Sequence, residues 1–255
     1  VKQTDTFDVT IIGGGAAGLF AAFYSGLRSM STKIIETTGE LGGKMHVYPE
    51  KMVWDVGGLP PLTGADLIDK SIEQGLTFDP TVVVNETVTA ITKTAQGHFV
   101  LETASGERHY SRTVIIAIGS GILDPHKLEV EGLGECEAPN IHYAVQSLKD
   151  FKDKTVLISG GGNTAIDWAN ELERVAKHVY LIYRGEALGG HEAMIEQLLE
   201  GSVEFLPERS ITNIQTNSGA TLIKWSSVTR QPAKRQRWML MTSLSITDIN
   251  GIQVC

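Results

Sequence analysis

Apolar positions along the chain fall into short continuous runs, runs at helical spacing and alternating runs, and their order is informative. Phe7-Asp8-Val9-Thr10-Ile11-Ile12 reads as a buried strand, and apolar side chains then recur at helical spacing from Leu19 to Leu27. Between them lies Gly13-Gly14-Gly15-Ala16-Ala17-Gly18, and Thr32-Lys33-Ile34-Ile35 follows as a second strand ending at Glu36. The same order returns at Lys154-Thr155-Val156-Leu157-Ile158-Ser159, where Gly160-Gly161-Gly162-Asn163-Thr164-Ala165 opens a helix expected to reach Ala176. His178-Val179-Tyr180-Leu181-Ile182-Tyr183 closes that unit as a strand. Two strand–glycine turn–helix–strand units predict an α/β chain with two Rossmann-like dinucleotide-binding domains.

The stretch between the units divides further. Residues 41–61 are too rich in glycine and proline for regular structure, and loops of that length are usually functional. Thr63 is placed to cap a helix that runs to Gln74 and stops at Gly75. Residues 81–105 carry short β-branched runs separated by turns, an antiparallel meander. Thr113-Val114-Ile115-Ile116-Ala117-Ile118 returns as a buried strand ended by Gly119-Ser120-Gly121. The expected domains are therefore 1–121, 122–224 and a tail, 225–255, with no clear period of either strand or helix.

Each part of the glycine turns has a use when the ligand is a dinucleotide. Gly13 permits a tight turn off the strand, Gly15 lets backbone approach a pyrophosphate, and Gly18 lets the helix lie close on the sheet. Glu36 stands where a carboxylate accepts hydrogen bonds from an adenosine ribose and repels a 2′-phosphate, so the first site is expected to take FAD or NAD. In the second unit Gly160, Gly162 and Ala165 hold the glycine positions, and the strand ends in Tyr183-Arg184. A guanidinium there pairs with a 2′-phosphate, which assigns NADP to the second site.

Composition narrows the function classes. The 255 residues carry a net charge of -8, which argues against a nucleic-acid partner. No apolar run reaches the ~18 residues needed to cross a bilayer, and the first residues lack a signal-peptide pattern, so a cytoplasmic location is expected. Two cysteines, Cys136 and Cys255, form neither a disulfide framework nor a C-x-x-C pair, and no metal site is expected.

The amino-terminal fingerprint, Leu41-Gly42-Gly43-Lys44, Val47-Tyr48-Pro49-Glu50-Lys51, Trp54-Asp55-Val56-Gly57-Gly58, residues 113–121, residues 160–168 and His191-Glu192 together resemble the thioredoxin-reductase-like, or type 2, ferredoxin:NADP reductases over about residues 5–224. The resemblance implies the FAD/NAD(P)-binding, three-layer ββα fold, and hydride transfer from NADPH to FAD followed by one-electron transfer to ferredoxin in a homodimer. Such chemistry needs no catalytic side-chain acid, base or nucleophile. It implies cofactor contacts at Ala17, Lys44, Tyr48, Val88, Leu123, Asn163 and Thr164, with Tyr48 stacked on the flavin. Thioredoxin reductase itself has a C-x-x-C pair just before its second nucleotide motif, where this chain reads Ile141-His142-Tyr143-Ala144-Val145-Gln146. Electrons would therefore leave the flavin for an external carrier: ferredoxin, or alternatively a quinone, a flavodoxin or a small disulfide protein.

Two departures stand out. Relatives carry several arginines after the second strand, whereas this chain keeps only Arg184, which predicts weakened preference for NADPH over NADH. The family's chain also returns to the flavin domain after the nicotinamide domain, and no such segment is recognisable here. The flavin domain is thus expected to be incomplete, and a frame change near codon 225 accounts for the unpatterned tail. A non-catalytic nucleotide-binding fragment is the remaining alternative.

Overall fold

The computed structural model describes residues 6–119, 140–216, 222–229 and 251–254. The chain divides into two compact units, Val1–Leu123 and Asp124–Cys255. Leu123, an expected cofactor contact, lies outside the described residues.

In the first unit β1 (Thr6–Ile12) leads through the glycine turn into α1 (Ala16–Leu27) and back to β2 (Thr32–Ile35). A 3-10 helix, Gly43–Val47, and a small hairpin of β3 (Met52–Val53) and β4 (Leu62–Thr63) interrupt the glycine- and proline-rich stretch. α2 (Gly64–Gly75) begins at Thr63, whose Oγ1 accepts the Asp66 N–H at 3.1 Å, as its capping position requires. β5 (Thr81–Val83), β6 (Val88–Lys93), β7 (Phe99–Thr103) and β8 (Arg108–Ile116) complete a six-stranded sheet of order β5-β2-β1-β8-β7-β6.

The β-branched runs divide differently from the expected meander. β5 leaves it and pairs parallel with β2, because Val82 sits beside Ile34 and packs against the apolar core. β8 starts earlier than residue 113. Its first half pairs antiparallel with β7, and from Tyr110 to Ile116 it pairs parallel with β1. The core under α1 is Val9, Ile11, Leu19, Ala22 and Ile34, from the first strand, helix and second strand, together with Leu41 from the stretch that follows.

The second unit contains β9 (Ile141–His142), a 3-10 helix at Leu148–Phe151, β10 (Thr155–Ser159), α3 (Asn163–Leu172), β11 (His178–Ile182), α4 (Glu192–Glu200), β12 (Glu204–Leu206), β13 (Arg209–Thr216), β14 (Leu222–Thr229) and β15 (Gly251–Val254). Its parallel sheet has the order β12-β11-β10-β15-β9. Val156, Leu157 and Ile158 on β10, Leu181 on β11, and Ile166 and Trp168 on α3 are fully buried. α3 ends at Leu172 rather than Ala176, because the Val175 carbonyl accepts the Asp153 N–H while Lys177 donates to Lys154, turning the chain into β11.

The stretch expected to be a separate tail is partly built into this unit. Residues 225–229 continue β14, an antiparallel partner of β13, and β15 lies between β10 and β9. These ladders are main-chain hydrogen bonds, which any non-proline sequence supplies, so the missing side-chain period did not preclude them.

Candidate nucleotide-binding sites

The two glycine turns are built to one plan. Gly13 donates its N–H to the Ile35 carbonyl at 2.8 Å, and Gly160 does the same to Ile182 at 3.1 Å. Gly42 donates to the Gly14 carbonyl at 2.9 Å, and Gly189 to Gly161 at 2.8 Å. Parallel bridges join Gly15 to Gly42 and Gly162 to Gly189. One constant offset therefore relates Gly13 to Gly160, Gly15 to Gly162, Ile35 to Ile182 and Gly42 to Gly189. In each unit the residue before the helix is bridged by a second glycine from the segment after the second strand.

In the first unit Gly13 has φ +102, and a Cβ there would run into the Ala117 carbonyl, so the strand-to-helix turn admits only glycine. A Cβ at Gly18 would overlap the Gly13 carbonyl, which fixes how closely α1 lies on β1. Gly43 has φ +67 and a Cβ there would stand 2.8 Å from the Gly15 Cα. Above Gly15 itself the nearest atom to a built Cβ is 3.7 Å away. The first-turn N–H groups of α1 have no intrahelical partner and carry the positive end of the helix dipole. Bare backbone and an open helix start suit a pyrophosphate.

Glu36 closes this site from the side. Glu36 is 8% exposed, with Oε2 accepting the Gly14 N–H at 2.6 Å and Oε1 accepting both the N–H and hydroxyl of Thr38 at 2.9 and 3.0 Å. Each oxygen retains acceptor capacity, and the side chain is fixed before any ligand arrives. Lys44 is exposed on the 3-10 helix, and Ala17 is exposed in the first turn of α1. Tyr48 is half-buried, its carbonyl accepting the Lys51 N–H at 3.2 Å, while Pro49 accepts from Ala65 at 2.9 Å. The Tyr-Pro-Glu-Lys segment is thus tied to the start of α2. Val88 is half-buried at the start of β6.

In the second unit nothing lies within 4 Å of a Cβ built on Gly162, the residue preceding α3. Ala165 takes the place of Gly18, and its methyl is buried at 1% exposure. Asn163 and Thr164 are exposed in the first turn. The Asn163 Oδ1 accepts the His191 N–H at 2.9 Å and its Nδ2 lies 3.3 Å from the His191 Nε2, which ties the start of α4 to the start of α3. Arg184 is exposed and makes no ion pair among the described residues. Glu36 corresponds by the constant offset to Tyr183, a half-buried side chain.

Sequence reasoning named the motif glycines but not Gly42, Gly43 and Gly189 as partners of the turns, nor Thr38 as the support of Glu36. The signal was present in the equal spacing of the glycine pairs in the two halves. Among the described residues no cluster of three or more histidine, cysteine, aspartate or glutamate side chains could hold a metal ion. No described helix is long and apolar enough to cross a membrane.

Residues 7–238 match the family of pyridine nucleotide-disulphide oxidoreductases. The chain belongs to that family. Within the pyridine nucleotide-disulphide oxidoreductases it is 64% identical over 203 residues to ferredoxin–NADP reductase 1 of Bacillus cytotoxicus, a match covering 80% of this chain and 58% of that protein. It is 52% identical over 246 residues to ferredoxin–NADP reductase 1 of Bacillus cereus, covering 96% of this chain and 70% of that protein. The resemblance read from the sequence is therefore upheld. The chain spans about 58% of the length of the Bacillus cytotoxicus relative. Among solved structures, thioredoxin reductase of T. acidophilum superposes with a TM-score of 0.79 at 23% identity, covering 98% of this chain and 76% of that chain, which shows the shared α/β fold.

Proposed function

We propose that this chain is a flavoprotein reductase that takes a hydride from NADPH onto FAD and passes single electrons to ferredoxin. Its carrying observation is the pair of matched glycine turns that end in different chemistry, the fixed carboxylate of Glu36 in one and Tyr183-Arg184 in the other. The first suits an adenosine with a free 2′-hydroxyl, as in FAD, and the second accepts a 2′-phosphate. Gly13, Gly15, Ala17 and Gly18 would hold the FAD pyrophosphate end, with Glu36 on its ribose and Lys44, Tyr48 and Val88 toward the rest of the cofactor. Gly160, Gly162, Asn163, Thr164, Ala165 and Arg184 would hold NADPH. A bound flavin supplies the exchange between a two-electron donor and a one-electron acceptor, and the protein supplies position and electrostatics. The absence of a C-x-x-C pair supports an external acceptor.

The homodimer and the cytoplasmic location belong to the same reading. Phe20, Tyr24 and Leu27 form an exposed apolar stripe on α1, each more than half exposed, with Phe20 and Tyr24 rings 6.2 Å apart. A second copy is the occupant we assign to it. The cytoplasm supplies NADPH and keeps thiols such as Cys136 and Cys255 reduced.

The absorbance spectrum tests the assignment. Purified protein incubated with FAD and desalted should be yellow, bleach on anaerobic addition of NADPH, and reduce ferredoxin in a coupled assay. Bleaching with no ferredoxin turnover would move the reading to another acceptor. A colourless protein that still binds NADPH would establish the second reading, a nucleotide-binding fragment. That reading is favoured by the exposure of Ile116, the last residue of β8, and of Ile118 just after it, 65% and 58% respectively.

A further inference from the structure

The internal repeat places Tyr183 where the first unit has Glu36, and Gly185 where it has Thr38. The environments correspond as well as the numbers. A Cβ built on Gly14 would stand 3.3 Å from the Glu36 carboxylate, and one built on the equivalent Gly161 would overlap the Tyr183 ring. In the first unit Thr38 supports the carboxylate with two hydrogen bonds. In the second, a Cβ at Gly185 would stand 2.5 Å from the Tyr183 Cε1 and 3.2 Å from its hydroxyl, so the ring takes the space a supporting side chain would need. The main chain on either side is pinned, Tyr183 donating to Leu206 at 3.1 Å and accepting from Arg209 at 3.0 Å, with Glu208 donating to Gly185 at 3.0 Å.

We propose that Tyr183 sets coenzyme choice in the second site: an uncharged ring, wedged between Gly161 and Gly185, stands in the ribose-side position of the carboxylate and lets the pocket accept either a 2′-hydroxyl or a 2′-phosphate. This rests on the reading of the second unit as the nicotinamide-nucleotide site. A carboxylate in that position accepts from a 2′-hydroxyl and repels a 2′-phosphate, whereas an aromatic ring does neither strongly. Preference for the phosphate then falls to Arg184, which is exposed and whose contribution water and salt screen. Gly185 is part of the same device, because only a residue without Cβ leaves room for the ring.

The test measures binding of 2′,5′-ADP and 5′-AMP to the full chain by calorimetry, with no need for bound flavin. The unsubstituted chain should bind both, with affinities within about tenfold of each other. Tyr183→Glu should weaken 2′,5′-ADP by about tenfold or more while sparing 5′-AMP. Tyr183→Gln, of the same shape without charge, and Tyr183→Phe should leave the ratio near that of the unsubstituted chain, and either serves if the glutamate variant fails to fold. Equal loss of both ligands in Tyr183→Glu, or a large change of ratio in Tyr183→Phe, would overturn the assignment to the ring. Failure of the unsubstituted chain to bind either nucleotide would instead overturn the underlying reading of the second unit, and the proposal with it.

Discussion

The Glu36 carboxylate accepts the Gly14 N–H at 2.6 Å, so the residue expected to face a ribose also holds the glycine turn in shape. Glu36→Ala removes the acceptor from a buried N–H as well as the partner of Thr38. Leaving such a donor unsatisfied costs about 1–3 kcal/mol. Urea unfolding should show a loss of that order in the first unit, and the variant should lose FAD. Glu36→Gln keeps an acceptor oxygen and should cost less. Equal stability in the alanine variant would refute the turn-holding role.

Gly18 and Ala165 occupy equivalent positions with opposite tolerance. A methyl at Gly18 would overlap the Gly13 carbonyl, whereas the methyl of Ala165 is already accommodated and buried. Gly18→Ala should therefore destabilise by about 1–3 kcal/mol through forced backbone shifts and should weaken FAD retention. Ala165→Gly should cost about 1 kcal/mol through helix propensity, with the first unit unaffected. Melting of the two variants checks the asymmetry.

The sequence carried much of this fold because apolar strands, helical spacing and glycine turns are local signals. Thr63 was legible as a cap, and the short run that contains residues 99–103 as a strand of the meander. Long-range choices were less so. β5 has the same β-branched composition as the meander, yet Val82 finds its core partner on β2, a contact no local pattern contains. At the sites the motif glycines and Glu36 were legible from spacing. The returning glycines were hidden because their requirement comes from a turn many residues distant, as when a Cβ on Gly43 would stand 2.8 Å from the Gly15 Cα. Tyr183 drew attention only beside Arg184, since its meaning depends on comparison with Glu36.

The exposed stripe on α1 yields a prediction of assembly. Phe20 and Tyr24 are 55% and 57% exposed, one turn apart, on a helix whose opposite face is buried through Leu19 and Ala22. Replacing both by lysine leaves the core untouched and removes the apolar contact. Sedimentation should show a dimer for the unsubstituted chain and a monomer for Phe20→Lys/Tyr24→Lys, with unchanged melting of the separated subunit. A monomeric unsubstituted chain would refute the second-copy assignment.

Acid sensitivity follows from His109 and His142. Burial, then the charge of Lys33, holds the His109 pKa below its ordinary value of 6.5, partly countered by Glu107 and Glu86. The Lys33 ammonium lies 3.2 Å from its Nδ1, so the neutral ring accepts there with its proton on Nε2. His142 is lowered in the same direction by burial and by Lys154, against Asp150. A histidine whose folded pKa lies below the unfolded one binds fewer protons when folded, so stability rises with pH. The contribution is complete above 6.5, declines as pH falls below that value, and levels off beneath the lowered folded-state pKa. Urea midpoints measured between pH 8 and pH 5 should therefore fall toward the acid end, and His109→Gln, which cannot be protonated, should flatten part of that slope. An unchanged slope in both His109→Gln and His142→Gln would show that other groups carry the acid response.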